Sequence, residues 1–167
     1  SIPSNVNDAG ITYTVTSIGT KAFYAKRLSS IDLPNSIVKI GSNAFAFNDF
    51  TAIALPNSLA VIGSWAFNKN MIKEVTFPAT VSSIGPWAFA NNPLDRVLVN
   101  ATTPPSLTDY FYLPRNLEQL KVPFSSNTAY WETDIWKEYT PKAIPPLALE
   151  DFNTTYGTEK NLPTSTS

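Results

Sequence analysis

The sequence predicts a β-rich solenoid of 22-residue coils, and two observations carry that prediction. The phrase Ile-Gly-x-x-Ala-Phe recurs with its isoleucine at Ile18, Ile40, Ile62 and Ile84, each copy 22 residues after the last. Identical residues at a fixed period mark units that each cover the apolar face of a neighbour. The apolar positions between the copies also fall into register: Leu28, Phe50, Ile72 and Leu94 form one column, Ile31, Ile53, Val75 and Val97 the next, and Leu33, Leu55, Phe77 and Val99 a third.

Residues 1–17 read as the opening cap. The stretch from Gly10 to Val15 alternates polar and apolar, and Ile11 falls in the Leu33 column, which predicts a first strand there and a polar, turn-like segment before it. Asn7 and Asp8 supply two oxygen ligands, far short of the six to eight that calcium takes, so a turn is the better reading.

Residues 18–99 form the repeats. In Leu-x-x-Ile-x-Leu the last two apolar residues stand two apart and face one side of a short parallel strand. Pro34, Pro56 and Pro78 follow that strand directly, where a residue without an N–H ends a ladder. Val15, Ile37, Leu59 and Val81 precede the repeated isoleucines by three and predict a second strand on the opposite wall. Gly19, Gly41, Gly63 and Gly85 follow it, where either a positive φ or a close-lying backbone demands glycine. The Ala-Phe pair suits one helical turn. At a coil spacing of ~4.8 Å the rings of Phe23, Phe45, Phe67 and Phe89 would stack into the spine of the core. Asn48, Asn70 and Asn92 sit three residues after a phenylalanine, placed either to bond turn backbone as a ladder or to lie exposed in the turn.

These columns resemble the BspA-like type of leucine-rich repeat found on bacterial cell surfaces and in some protists. The shared motif, Leu-x-x-Ile-x-Leu-Pro-x-Ser-(apolar)-x-x-Ile-Gly-x-x-Ala-Phe, is nearly complete from Leu28 to Phe45 and from Phe50 to Phe67, with a third copy ending at Phe89. Family members often carry cysteine where this chain has Asn48, Asn70 and Asn92. The resemblance implies a leucine-rich repeat fold and a secreted or cell-surface, non-enzymatic adhesion module, extracellular in location, whose protein partner could be a host or neighbouring-cell surface protein.

Residues 100–144 read as the last coil and closing cap. Pro104 and Pro105 interrupt the register, and the Leu117, Leu120, Val122 pattern restores it 23 residues on from Leu94. Tyr130, Trp131, Trp136 and Tyr139 crowd the segment, and in the family resemblance Tyr130, Trp136 and Tyr139 pack inward while Trp131 stays out. Residues 145–167 begin with a Pro-Pro break. The stretch from Leu147 to Gly157 resembles the opening strand of an MBG-type bacterial immunoglobulin-like module, with a tail lacking fixed structure as the equal alternative.

Composition limits the chemistry. Lys+Arg 12 against Asp+Glu 13 gives a net charge of −1 and no basic field for nucleic acid. No apolar run approaches the ~20 residues of a membrane span. The absence of both histidine and cysteine removes His-based triads, thiol nucleophiles and His or Cys metal sites. No cofactor is expected. Asp32 and Glu74, the best acid pair, stand two coils apart, about 10 Å or more, beyond most of the ~5 to 9.5 Å of working carboxyl pairs.

Candidate contacts lie on two surfaces. The strands should point Ser30 and Asp32, Ala52 and Ala54, Glu74 and Thr76, Arg96 and Leu98, and Gln119 and Lys121 outward, with Asp32, Glu74 and Arg96 as charged contacts. The column Lys21, Asn43, Trp65, Trp87 places two tryptophans on adjacent coils, either as corner packing or as an exposed strip for a protein or a sugar. The functions left open are a protein-binding module, a structural spacer, and carbohydrate contact through Trp65 and Trp87.

Overall fold

A computed structural model describes residues 1–107, 119–133 and 136. The chain winds as a β-solenoid whose coils repeat at 22 residues. One wall is a five-stranded parallel sheet of two-residue strands, β3 (Ser17–Ile18), β4 (Lys39–Ile40), β5 (Val61–Ile62), β7 (Ser83–Ile84) and β9 (Ser106–Leu107), paired in that order. The other wall is a parallel sheet of β6 (Glu74–Phe77), β8 (Arg96–Val99) and β10 (Gln119–Lys121), in which Val75 faces Val97 and Val97 faces Leu120 across the ladder. The walls carry isoleucine, valine or leucine inward from coil to coil, so the core is a stack of similar layers.

The phenylalanines stack as their spacing predicts. Ring centroids of Phe23, Phe45, Phe67 and Phe89 are separated by 5.3, 5.3 and 5.0 Å, with interplanar angles of 18° or less. Phe50 and Phe77 meet this spine edge-on, at 5.9 Å to Phe45 and 5.4 Å to Phe89. Asn48, Asn70 and Asn92 are buried and form the ladder, not exposed turns. The Asn70 amide donates to the carbonyls of Phe45 and Phe67 at 3.0 Å each, and its carbonyl oxygen accepts from the Phe50 N–H. Each asparagine therefore bridges two coils where no sheet exists to do so.

The glycines are a matter of clearance. A Cβ at Gly63 would lie 2.6 Å from the Ser42 nitrogen, and Gly41 and Gly85 are equally crowded by the preceding coil. Positive φ falls two residues later, at Lys21, Asn43, Trp65 and Trp87. The Ala-Phe segments correspondingly form successive hydrogen-bonded turns, Ala44 N–H to Gly41 O and Ala46 N–H to Asn43 O, and not the expected helical turn. A left-handed residue in each corner lets the chain reverse within a few residues, which a helical turn does not.

The opening cap departs from its expected form. β1 (Asn5–Asp8) and β2 (Ile11–Thr14) make an antiparallel hairpin turned by Ala9 and Gly10, both at positive φ. Ile11 is 55% exposed and pairs with Asp8, so it does not enter the Leu33 column. Ile2 takes that role: it packs on the core and its N–H donates to Asp32 O at 3.1 Å. The segments around Ile31 and Ile53, expected as strands, are extended without ladder pairing; Ile31, Leu33, Ile53 and Leu55 are only half buried.

Beyond Pro105 the ladder resumes at once, through β9 against β7. A 3-10 turn at Phe124–Ser126 leads into α1 (Asn127–Glu132), and Tyr130 and Trp136 are fully buried over the last coil. Their polar atoms donate to that coil's carbonyls, Tyr130 Oη to Ala101 O at 2.7 Å and Trp136 Nε1 to Pro105 O at 3.0 Å. The side chain of Trp131, with Tyr139 and the 145–167 segment, lies outside the described residues.

Two outcomes follow from this packing. Phe67→Ala should cost about 3 to 5 kcal/mol by leaving a cavity between stacked rings, whereas Phe23→Ala, at the half-buried end of the stack, should cost clearly less; urea titration of both variants checks the ordering. Burial pushes the Tyr130 phenol from 10.0 up to about 12. Between those values the unfolded chain releases a proton that the folded chain keeps, so this contribution is intact below pH 10 and is lost as pH rises towards 12. Tyr130→Phe should flatten the alkaline fall in stability by up to about 2 kcal/mol, read as the difference between the two chains' pH profiles.

Candidate functional site

The outward surface of the strands is shallow. Ser30, Asp32, Ala52, Ala54, Glu74, Thr76, Arg96 and Lys121 are exposed and Leu98 half buried, as the alternation predicts; the Gln119 side chain lies outside the described residues. Arg96 and Glu74, one rung apart, form an ion pair of 2.7 Å whose side chains remain 45% and 47% exposed. A pair this wet contributes little stability. Asp32 stands away from it with no salt-bridge partner among the described residues. Beside the pair is an open depression of about 460 Å³, lined by Ala52, Ala54, Glu74, Thr76, Pro78 and Asn100. Its single carboxylate is tied to arginine, and among the described residues no three His, Cys, Asp or Glu side chains gather to hold a metal. The depression offers a surface for contact and no set of groups for acid-base chemistry.

The corner between β-wall and asparagine ladder is different. Each coil has left-handed residues in two columns here, the first Lys21, Asn43, Trp65, Trp87 with φ from 56° to 61°, the second Ala25, Phe47, Lys69, Asn91 with φ from 52° to 58°, and the first coil adds Arg27 at 54°. Asn43 and Asn91 are residues this backbone tolerates well. Tryptophan and phenylalanine are not, and each carries a backbone cost of roughly 1 kcal/mol or more.

The side chains leave the corner outward. Trp65 is 39% exposed and Phe47 42%, while Trp87 is half buried. Trp65 and Trp87 stack at 5.5 Å and 19°. Phe47 is tilted against Tyr24 at 5.2 Å, and the Lys69 ammonium sits 4.8 Å from the Phe47 ring centre. The two tryptophans are thus both neighbours in a packed column and part of the surface, combining the two alternatives open in the sequence. Phe47 escaped the sequence reading. Its signal was there: a lone aromatic in a column otherwise of Ala25, Lys69 and Asn91, out of phase with the buried spine.

The sequence-family model described as BspA type Leucine rich repeat region matches residues 3–118 in six copies. No curated protein matches the chain. Among the described residues no helix is long and apolar enough to cross a membrane.

Because asparagine suits the left-handed corner, Trp65→Asn should change stability by no more than about 1 kcal/mol, lost stacking being offset by relieved backbone strain. Thermal unfolding of this variant beside Phe67→Ala separates a surface ring from a core ring.

Proposed function

Because the chain belongs to the BspA type leucine-rich repeat family, we propose that it is a secreted or cell-surface adhesion module that binds a protein, with the corner bearing Phe47, Trp65 and Trp87 as its principal contact surface. The observation that carries this is the placement of three aromatic rings in left-handed backbone, with two of them about two-fifths exposed. Exposure and strain both weigh against large rings at these positions, and half-exposed aromatics are the residues that dominate protein interfaces. A spacer has no use for them.

Stacking distinguishes a protein from a sugar. A saccharide packs on an open ring face, and the stacking of Trp65 on Trp87 takes one face of each indole out of use. The stacked indoles with the adjoining Phe47–Lys69 pair suit the mixed apolar and polar contacts of a protein interface. Asp32, Glu74 and Arg96 belong in this reading to a polar rim on the strand surface. The domain division follows: cap at 1–17, binding repeats at 18–99, closing cap at 100–144, and a linker or following module at 145–167.

Fluorescently labelled chain applied to host or neighbouring cells provides the test. Binding should survive glycosidase treatment of the cells, disappear on protease treatment, and fall at least tenfold in the double variant Phe47→Asn/Trp65→Asn at unchanged stability. Loss after glycosidase alone would establish the carbohydrate reading, and no binding by the intact chain would establish the spacer.

A further inference from the structure

The first coil ends the solenoid with its stacking edge open. In every later coil the edge is filled: Lys21, Phe23 and Ala25 N–H donate to Ser42, Ala44 and Ala46 O, and the same three bonds join coil two to coil three and coil three to coil four. In coil one the equivalent acceptors are the carbonyls of Thr20, Ala22 and Tyr24, and among the described residues nothing donates to them. Gly41, Gly63 and Gly85 N–H donate to the preceding coil, whereas Gly19 N–H has no such acceptor. A Cβ at Gly19 would meet nothing within 4 Å, in contrast to the three crowded glycines. Ala22 is exposed where Ala44, Ala66 and Ala88 are fully buried, and Phe23 is covered on one face by Phe45. The edge therefore has a donor, three acceptors, a cleared backbone and an apolar ring, all arranged for another segment of polypeptide.

The residues at the two ends of the solenoid say what that segment is not. In the asparagine ladder, position 26 holds lysine where Asn48, Asn70 and Asn92 bridge to the coil before. Lys26 cannot make the asparagine's paired donor and acceptor contacts, so coil one is not built to continue the ladder into another coil. A second copy joined edge to edge would bring Lys21, Lys26 and Arg27 of both chains together, and no acid forms a salt bridge with them among the described residues. Joining head to tail is blocked by Tyr130 and Trp136 over the last coil.

The same three cations select the occupant. We propose that the open edge from Gly19 to Tyr24 receives an acidic polypeptide segment that follows the same run of turns, donates backbone N–H groups to the carbonyls of Thr20, Ala22 and Tyr24, lays an apolar side chain on Phe23, and pairs its carboxylates with Lys21, Lys26 and Arg27. The segment adds to an exposed backbone edge, with main-chain bonds giving affinity and charge giving selection. It rests on the reading of the chain as a protein-binding module but uses a different surface.

The test uses the whole chain, isotope-labelled, titrated by NMR with a heptapeptide of glutamate, asparagine and glycine around a central phenylalanine. Amide shifts should centre on residues 19–27, and binding should weaken at least tenfold with lysine replacing glutamate or with alternate peptide nitrogens methylated. Gly19→Val should abolish binding while leaving the melting temperature unchanged, because its side chain enters empty space. Lys26→Glu/Arg27→Glu should weaken binding at least tenfold, and Trp65→Asn should leave it unaltered, which separates this edge from the aromatic corner. Absence of shifts at millimolar peptide, indifference to N-methylation, or a dimer in sedimentation that Gly19→Val dissolves would each overturn the proposal.

Discussion

Coil spacing is the constraint on which the structure depends. Neighbouring coils must lie one strand separation apart on the sheet walls, and every other contact has to fit that distance. The phenylalanine rings fit it by stacking in parallel at 5.0 to 5.3 Å. Gly41, Gly63 and Gly85 fit it by having no side chain where backbone lies within 3.0 Å of the missing Cβ. Asparagine fits it because one amide can donate to the carbonyls of two successive coils, as Asn92 does to Phe67 and Phe89 at 2.9 Å each. Ser36, Ser58 and Thr80 add a hydroxyl rung of the same kind, each donating to the carbonyl of the coil before, at Val15, Ile37 and Leu59. A buried polar group without a partner would cost more than its bond contributes, and these in-phase partners are what make a thin, repetitive core acceptable.

That same constraint explains what the sequence revealed. Repetition exposes any position that the stacking fixes, so the Ile-Gly-x-x-Ala-Phe columns, the two walls, the ring spine and the asparagine ladder were all legible. Repetition is silent where the environment is unique. Ile11 matched the register of Leu33 and still went into a hairpin, because Ala9 and Gly10 form a tight turn that pairs it with Asp8, and nothing in a 22-residue count weighs that local preference. The weak pairing near Ile31 and Ile53 was equally hidden, since these segments carry the same apolar pattern as β6 and β8. The helical turn was misjudged for a different reason: alanine followed by phenylalanine favours helix locally, but the left-handed residue just before the alanine closes a turn instead.

Much less of the candidate site could be read. Trp65 and Trp87 stood out because both fall in one column, whereas Phe47 was masked by the abundance of phenylalanine in the repeats. Asp32, Glu74 and Arg96 are exposed as alternation placed them, but alternation alone does not foretell that Glu74 pairs with Arg96 one rung away. Charge pairing along a strand wall is decided by rung neighbours, and those two side chains share a column.

The contrast between the corner and the strand wall bears on how such a solenoid acquires a binding surface. On the wall, outward residues sit in ordinary extended backbone and are free to be anything, and here they are small and mixed. In the corner, left-handed backbone restricts the choice to glycine, asparagine and a few others unless some other benefit offsets the strain. Asn43 and Asn91 show the unburdened solution within this chain. Aromatic residues at Phe47, Trp65 and Trp87 are therefore the more informative departure, since stacking between Trp65 and Trp87 offsets only part of the cost and Phe47 has no stacked copy of itself in the next coil, where Lys69 stands instead. Under the proposed function, an exposed ring kept against its backbone preference, beside a cation that faces it, serves a contact with another molecule more than the stability of the coil that carries it.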